Sequence, residues 1–317
     1  MNSGQRMARL AIGAALENML HAAAALGWFV EVEEPVDSAL TMIRVVRRED
    51  NARQLPRTIF DRVTNRRLYD GRPIPVAVLD ELARETPHLG GVQTHWIGDP
   101  TRIKSLASLI SRADGVMFGN RFMRRAFLAK VRFDAPQDTK VDEGLPLASL
   151  ELSRTDRWGL FTLARLPDTV TQLAGVTRVF EKQARRLTES ASGICLVAAS
   201  RNDSQTDLEA GRALQRAWLA LTARSLAVQP MMSLAVLDNA LEHGSAELIA
   251  SLARETLRRV RDDARSLLGE LKDARVACLL RFGYAAPPSG RTGRLPLTKM
   301  VEEGGGMHAE PQQPLSR

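Results

Sequence analysis

The chain has 317 residues, of which 44% are hydrophobic and 26% charged, enough to bury a sizeable core as one large globular domain or two modest ones. Its most apolar run, residues 11–32, is broken by Glu17, Asn18, His21 and Glu31, which excludes a membrane span and reads as an amphipathic helix running into a strand. The first ten residues lack the apolar segment of a secretory leader, so the expected location is cytoplasmic. The formal net charge is +7, but only six of the 44 basic residues are lysines. This arginine bias runs through the whole chain, and its local clusters, residues 44–72 and 121–132, are not interleaved with the exposed aromatics of a single-strand-binding surface. Neither a nucleic-acid partner nor a membrane is expected.

In chain order, residues 6–26 read as a helix with Leu10, Ala14, Met19, Ala22 and Leu26 on one side and Gly27 as its stop. Residues 28–33 alternate as a strand. Residues 41–57 are polar, rich in arginine and end near Pro56, which predicts a connector and a boundary near residue 50. A helix is expected at 59–68, then a turn at Asp70-Gly71-Arg72-Pro73, a helix from Pro75 to Glu85 and a strand at 92–97. Helices are expected at 100–114 and 120–133. Residues 134–146, with their Pro, Gly, Asp and Lys content, read as a loosely packed loop or lid. Further on come a helix at 170–190, a buried strand at 193–199, a helix at 208–226, extended chain at Val228-Gln229-Pro230, a long charged helix at 246–272 and a strand at 275–284. The tail from Glu302, with its triple glycine, is disordered by composition.

Cys195 and Cys278 each sit inside an apolar run with no partner at metal-ligand spacing, and His21, His88, His95, His243 and His308 are scattered. Two buried thiols and no metal site are expected. No catalytic acid, base or nucleophile stands out.

One internal similarity organises the rest. Gly13-Ala14-Ala15-Leu16, with Ala22, Ala25 and Gly27, lines up with Gly211-Arg212-Ala213-Leu214, followed by Ala220, Ala223 and Ser225, and both helices run into extended chain. Coincidence between two alanine-rich helices is the competing explanation, and the order of the surrounding elements favours a repeat.

The helix from Gly13 to Gly27 resembles the central helix of the FMN-dependent nitroreductase family. Arg62-Val63-Thr64-Asn65-Arg66-Arg67-Leu68-Tyr69, then Arg72-Pro73-Ile74-Pro75 and Leu79, resembles the family's opening signature. Arg281-Phe282-Gly283-Tyr284, Pro287-Pro288-Ser289, Arg291 and Arg294 resemble its closing strand and arginine-bearing tail. The arrangement is similar to the internally duplicated Acg-like branch, and such modules also occur behind ThiF-type adenylyltransferase domains. The resemblance implies an α+β fold with helices around a mainly antiparallel sheet, pseudo-duplicated so that one chain imitates a homodimer. Residues 1–48 would end a first repeat, 49–300 would be the second and 301–317 a disordered tail. The helices of Gly13 and Gly211 would then be related by a pseudo-two-fold axis.

By the same resemblance the cofactor is FMN, the electron donor NAD(P)H, and the cofactor-binding residues Arg62, Arg66, Arg67, Arg291 and Arg294. Guanidinium groups suit a phosphate dianion because they offer paired donors in fixed geometry. A helix over 59–68 puts Arg62 and Arg66 on one face, either as a phosphate clamp or as a solvated surface, whereas Arg67 faces elsewhere. Arg291 and Arg294 lie in a Gly- and Pro-rich stretch, equally compatible with a clamp and with solvated side chains. Family members contact the flavin ring through a Pro-Ser-x-x-Asn-x-Gln-Pro-Trp stretch upstream of the first helix, where only twelve residues precede Gly13 here. The corresponding stretch of the second repeat, residues 86–96, keeps a proline, Gln93 and Trp96 without the asparagine. FMN binding by this chain alone is therefore expected to be weak or absent. The alternative function is a non-catalytic flavin-sequestering or scaffold module that works with an adenylyltransferase partner.

Overall fold

A computed structural model describes residues 5–33, 41–48, 53–133, 144–166, 175–244, 248, 254–269 and 274–293. The chain runs through α1 (Arg6–Ala25), β1 (Trp28–Glu33), β2 (Met42–Arg48), the single turn α2 (Thr58–Asp61), α3 (Val76–Glu85), β3 (Val92–Ile97), α4 (Pro100–Gly119) and α5 (Arg121–Leu128). It continues through β4 (Val131–Arg132), β5 (Leu145–Pro146), a 3-10 turn (Leu147–Leu150), α6 (Arg154–Leu163), α7 (Val176–Glu189), β6 (Gly193–Ala199), α8 (Ser204–Ala223), β7 (Ala227–Met231), α9 (Ser233–His243), α10 (Arg254–Leu268) and β8 (Arg275–Gly283). The fold is α+β.

Four strands form the main sheet in the order β3-β6-β8-β7, antiparallel at every pairing. Every residue of β6 is buried, because its unbroken apolar run lets both faces be covered. Ile194 and Leu196 point into a core made with α4, α9 and α10, around Leu106, Ile110, Leu237 and Val260. Cys195 and Val197 point the other way, into a core made with α1, α3 and α8 around Leu10, Leu82, Leu214 and Trp218. Alternation along the strand thus splits its residues between two helical layers. Both cysteines are buried free thiols, and loss of solvation pushes their ionisation well above the ordinary thiol range.

Helices α1 and α8 cross where each carries a glycine. A Cβ on Gly13 would overlap the carbonyl oxygen of Leu208, and one on Gly211 would overlap that of Leu10. The side-chain contacts pair off in the same reciprocal way. Arg216 Nε donates to Glu17 at 2.6 Å and Gln215 Nε2 donates to Asn18 at 2.7 Å. Arg9 meets Asp207, 198 residues on, at 2.8 Å. Glu17 thus meets Arg216 while Asn18 meets Gln215, a reciprocal pattern across the crossing. A buried ionic network anchors the start of α1. Arg6, 1% exposed, reaches Asp238 at 3.2 Å and Glu242 at 2.8 Å, and Asp207 also takes Arg275 from β8.

Several expectations are corrected. Residues 42–48 form β2, antiparallel to β1, where a polar connector is predicted. Ile43, Val45 and Val46 favour extended chain, and Arg44 ties the strand to Glu31 and Glu33 across the ladder. The predicted helix at 59–68 stops after Asp61. Arg62 turns to ψ 122°, Thr64 bridges Val228, and Asn65 N–H donates to the Val228 carbonyl at 2.8 Å, so pairing to β7 overrides local helical spacing. Arg62 and Arg66 consequently do not share a helix face.

The helix expected at 100–114 continues to Gly119, and Asn120 caps the separate helix α5 through Phe122 and Met123 N–H. Helix α8 starts at Ser204 and not at 208, with Asp203 accepting from Thr206 N–H. The 3-10 turn, α6 and α9 are not anticipated by the local sequence pattern. Most of the predicted lid, residues 134–143, lies outside the described residues, as do 167–174, 245–247, 249–253, 270–273 and the tail from 294. The end of that loop, Leu145-Pro146, pairs in parallel with Val131-Arg132.

The helix crossing and one buried carboxyl can each be tested through stability. Gly13→Ala and Gly211→Ala should each lower unfolding stability in urea by roughly 1–3 kcal/mol, since the new methyl must displace facing backbone. Gly159→Ala, in α6 with nothing near its Cβ position, should be neutral or stabilising. Asp114 on α4 is raised to about 6 by burial, which outweighs a hydrogen bond from Ser233. The native state therefore holds a proton that the unfolded chain has lost, and stability present below about pH 4 declines as the pH rises through about 6. Asp114→Asn should be more stable than wild type at pH 7, and thermal melts should show that gain shrinking on acidification from about pH 6 and levelling off below about pH 4.

Candidate functional site

The arginines of the opening signature lie on the extended segment that follows α2, beside β7 and β8. Arg62 caps α2, and its guanidinium stacks over the Trp218 ring of α8 at 4.3 Å. Arg66 Nη1 donates to the Ser149 carbonyl, in the 3-10 turn, at 3.0 Å; burial lowers its pKa, with Tyr69 and Glu151 opposing the shift. Arg67 Nε donates to the Pro287 carbonyl at 2.9 Å and Nη2 to Ser289 Oγ at 2.7 Å, and Nε lies 3.5 Å from the Glu151 carboxylate. Arg66 and Arg67 therefore meet one neighbourhood, the 3-10 turn and the loop after β8, while Arg62 goes elsewhere. Arg291 is exposed on that loop, and Arg294 lies outside the described residues.

The residue that orders this neighbourhood is Arg281, which in the sequence stands out only as a letter of the closing motif. It is fully buried in β8. Its Nε donates to Gln229 Oε1 at 2.8 Å, Nη1 to the Leu187 carbonyl at 2.9 Å and Nη2 to the Arg67 carbonyl at 2.7 Å. Its guanidinium lies 3.9 Å from the centre of the Tyr69 ring. Desolvation brings its pKa down to about 10, and burial likewise pushes the Tyr69 phenol up to about 12. Tyr69 OH donates to the Asn65 carbonyl at 2.8 Å, and Asn65 Nδ2 donates to the Ala286 carbonyl at 2.8 Å. A charged side chain inside the run from Val276 to Phe282 was the available signal, because a buried charge is retained only with a full set of partners.

Glu151 carries no sequence signal at all. It follows the 3-10 turn in the left-handed region, at φ 53° and ψ 32°, and its side chain is only 7% exposed. Ser289 N–H donates to one carboxylate oxygen and Ser289 Oγ to the other, the latter at 3.0 Å.

Next to this cluster a groove of about 520 Å³ is lined by Leu68, Tyr69, Asp70, Arg72, Ser225, Tyr284, Ala285 and Ala286. Arg72 covers the Tyr284 ring at 4.1 Å and pairs with Asp70 at 2.7 Å. The stretch compared with the family's ring-binding segment lies along the opposite edge of the sheet. Gln93 is exposed on β3. Trp96 packs edge-on against Phe282 with centroids 5.6 Å apart, and its Nε1 donates to Thr86 Oγ1 at 3.3 Å, so it serves the core.

An FMN phosphate needs guanidinium donors that converge and are not already committed. Here Arg62 is stacked on Trp218, Arg66 is bonded to Ser149, and Arg67 is divided among Pro287, Ser289 and Glu151. As arranged, these residues do not fit the phosphate of FMN.

The chain matches no family profile. It is 26% identical over 306 residues to an uncharacterized protein of Mycobacterium tuberculosis, covering 91% of this chain and 41% of that protein, so it spans less than half the length of this relative. Among solved structures it is similar to the FMN-dependent nitroreductase NfnB of Mycobacterium smegmatis in complex with NADPH, with TM-score 0.43 and 18% identity over 78% of this chain and 97% of the other. It is also similar to a nitroreductase with bound FMN from Desulfitobacterium hafniense, with TM-score 0.41 and 12% identity over 80% of this chain and all of the other.

Proposed function

We propose that the chain is a nitroreductase-like unit of the FMN- and NAD(P)H-dependent oxidoreductase class whose flavin site is degenerate, so that the chain by itself takes up FMN weakly or not at all. The observation that carries the reading is the engagement of Arg66 and Arg67 with Ser149, Ser289 and Glu151. Of the positions matching the opening signature, Arg66 and Arg67 meet one neighbourhood and Arg62 another, and protein acceptors satisfy Arg66 and Arg67. The reciprocal crossing of α1 and α8 supports an internal duplication of the Acg-like kind. In that reading residues 1–48 close a first repeat and residues 49–300 form a second, making a pseudo-dimer within one chain.

A second reading, a flavin-sequestering or scaffold module that works with an adenylyltransferase domain, is favoured by a different observation. Met19, Leu26, Trp28, Phe29, Val45 and Val46 are exposed around α1, β1 and β2, an apolar surface of the kind that marks a contact with another folded unit.

Titration of FMN into the purified chain, followed by quenching of flavin fluorescence, tests the primary reading. Weak or undetectable binding is expected, and a stoichiometric yellow protein would overturn the degenerate site. Turnover separates the two functions: with FMN in excess, the oxidoreductase reading expects NAD(P)H oxidation that depends on both the flavin and this chain, and the scaffold reading expects none.

A further inference from the structure

We infer that the Glu151 carboxylate is a built-in anion that fills a cradle formed by Arg67, Ser289 and Arg66, and that a phosphate-type dianion binds this cradle only in exchange for it. The inference deepens the reading of a degenerate flavin site, because it names what closes the anion end of that site.

The donor set carries the chemistry. Ser289 N–H, Ser289 Oγ and the Arg67 guanidinium all address the same carboxylate, with Arg66 alongside on the Ser149 carbonyl. A backbone N–H, a hydroxyl and a guanidinium directed at one carboxylate form the combination that recognises compact oxyanions. The backbone under Glu151 supplies a second, independent observation. Its left-handed conformation, at φ 53°, is one that a side chain longer than Asn rarely adopts, and the residue after a helical turn in this conformation is usually glycine. Glutamate at that position directs its carboxylate back into the cradle. The loop holding Ser289 is seated on the same turn, where Gly290 lies against Ala148 and Ser149.

The charge balance points the same way. Arg67 pairs with the Glu151 carboxylate and Arg66 lies alongside it, so two guanidinium groups face a single carboxylate. A dianion would match that excess better than Glu151 does, once the carboxylate has moved out to water.

The test uses inorganic phosphate as the probe, with the full chain as wild type, Glu151→Gln, Glu151→Gly and the double variant Glu151→Gln plus Arg67→Ala. Glutamine keeps the shape and removes the charge. Glycine removes the side chain and also suits the left-handed backbone, so it is expected to fold even if the amide does not. Calorimetric titration should show phosphate binding at least tenfold tighter to Glu151→Gln and Glu151→Gly than to wild type, with added phosphate raising their melting temperatures by mass action. The gain should disappear in the double variant. Unchanged phosphate affinity in the folded single variants would overturn the inference, and so would a gain that survives loss of Arg67. A merely structural ion pair would lower the melting temperature without creating phosphate affinity. A parallel FMN titration keeps this outcome apart from the flavin reading. Phosphate binding without tighter FMN binding leaves the cradle standing and removes the flavin, whereas stoichiometric FMN binding to wild type removes both.

Discussion

The close crossing of α1 and α8 is the constraint on which the rest of the molecule depends. Two glycines let the backbones meet so closely that the carbonyls of Leu10 and Leu208 occupy the space a side chain would need. Contact at this range brings dispersion attraction over both helices. It also fixes where the next strands begin, because β1 leaves α1 and β7 leaves α8 at set positions. The ionic network continues the crossing outward: Asp207 of α8 accepts from Arg9 of α1 and Arg275 of β8 and lies 3.7 Å from Arg6 Nε, so the first turn of α8 ties one end of α1 to the sheet. Buried pairs of this kind contribute little net stability compared with apolar packing, but removal of one partner leaves an uncompensated charge. Their effect here is to set the register between the helices.

Arg281 plays the corresponding part at the candidate site. It commits three hydrogen-bonding nitrogens to Gln229 of β7, Leu187 of α7 and Arg67 of the extended segment. One side chain thus joins the sheet, the end of α7 and the arginine-bearing segment. The carbonyl of Arg67 is held by Arg281 while the Arg67 side chain reaches the Ser289 loop, so the direction of that side chain depends on a charge buried beneath it. Tyr69, stacked on the same guanidinium, closes the unit by bonding back to the Asn65 carbonyl.

Much of the framework is legible from local pattern, and the losses share one cause. The strands at 193–199 and 92–97 lie where the pattern puts them because unbroken or alternating apolar runs bounded by turns have few other solutions, and the α1 helix ends where Gly27 predicts. Residues 42–48 and 62–68 escape local pattern because tertiary pairing decides them: β2 exists through its ladder with β1, and the Thr64 segment through Val228. The difference at 62–68 carries through to the site, since a shared helix face for Arg62 and Arg66 needs a helix that in fact ends at Asp61. Arginine content marks the right region, but which arginine faces which acceptor depends on Ser149, Glu151 and Ser289, residues distant in sequence and unremarkable in type. Glu151 in particular is made significant by its backbone conformation, which no local motif announces.

The two sides of the α1–α8 crossing are not equally covered, and this asymmetry connects the fold to the function. On the α8 side, β7 is backed by β8, β6 and β3, and the inner strands are buried. On the α1 side, β1 pairs among the described residues with β2 alone, in a two-stranded sheet that leaves Trp28, Phe29, Val45 and Val46 exposed. An isolated two-stranded ribbon is marginal in water and gains independent stability only against a further apolar surface. Here α1 supplies part of that surface, and the Arg44 pairs with Glu31 and Glu33 hold the ribbon's other face. The cradle, by contrast, holds a carboxylate of its own, that of Glu151. The ribbon therefore gains most from added apolar contact, and the pair of arginines facing a single carboxylate gains most from added negative charge.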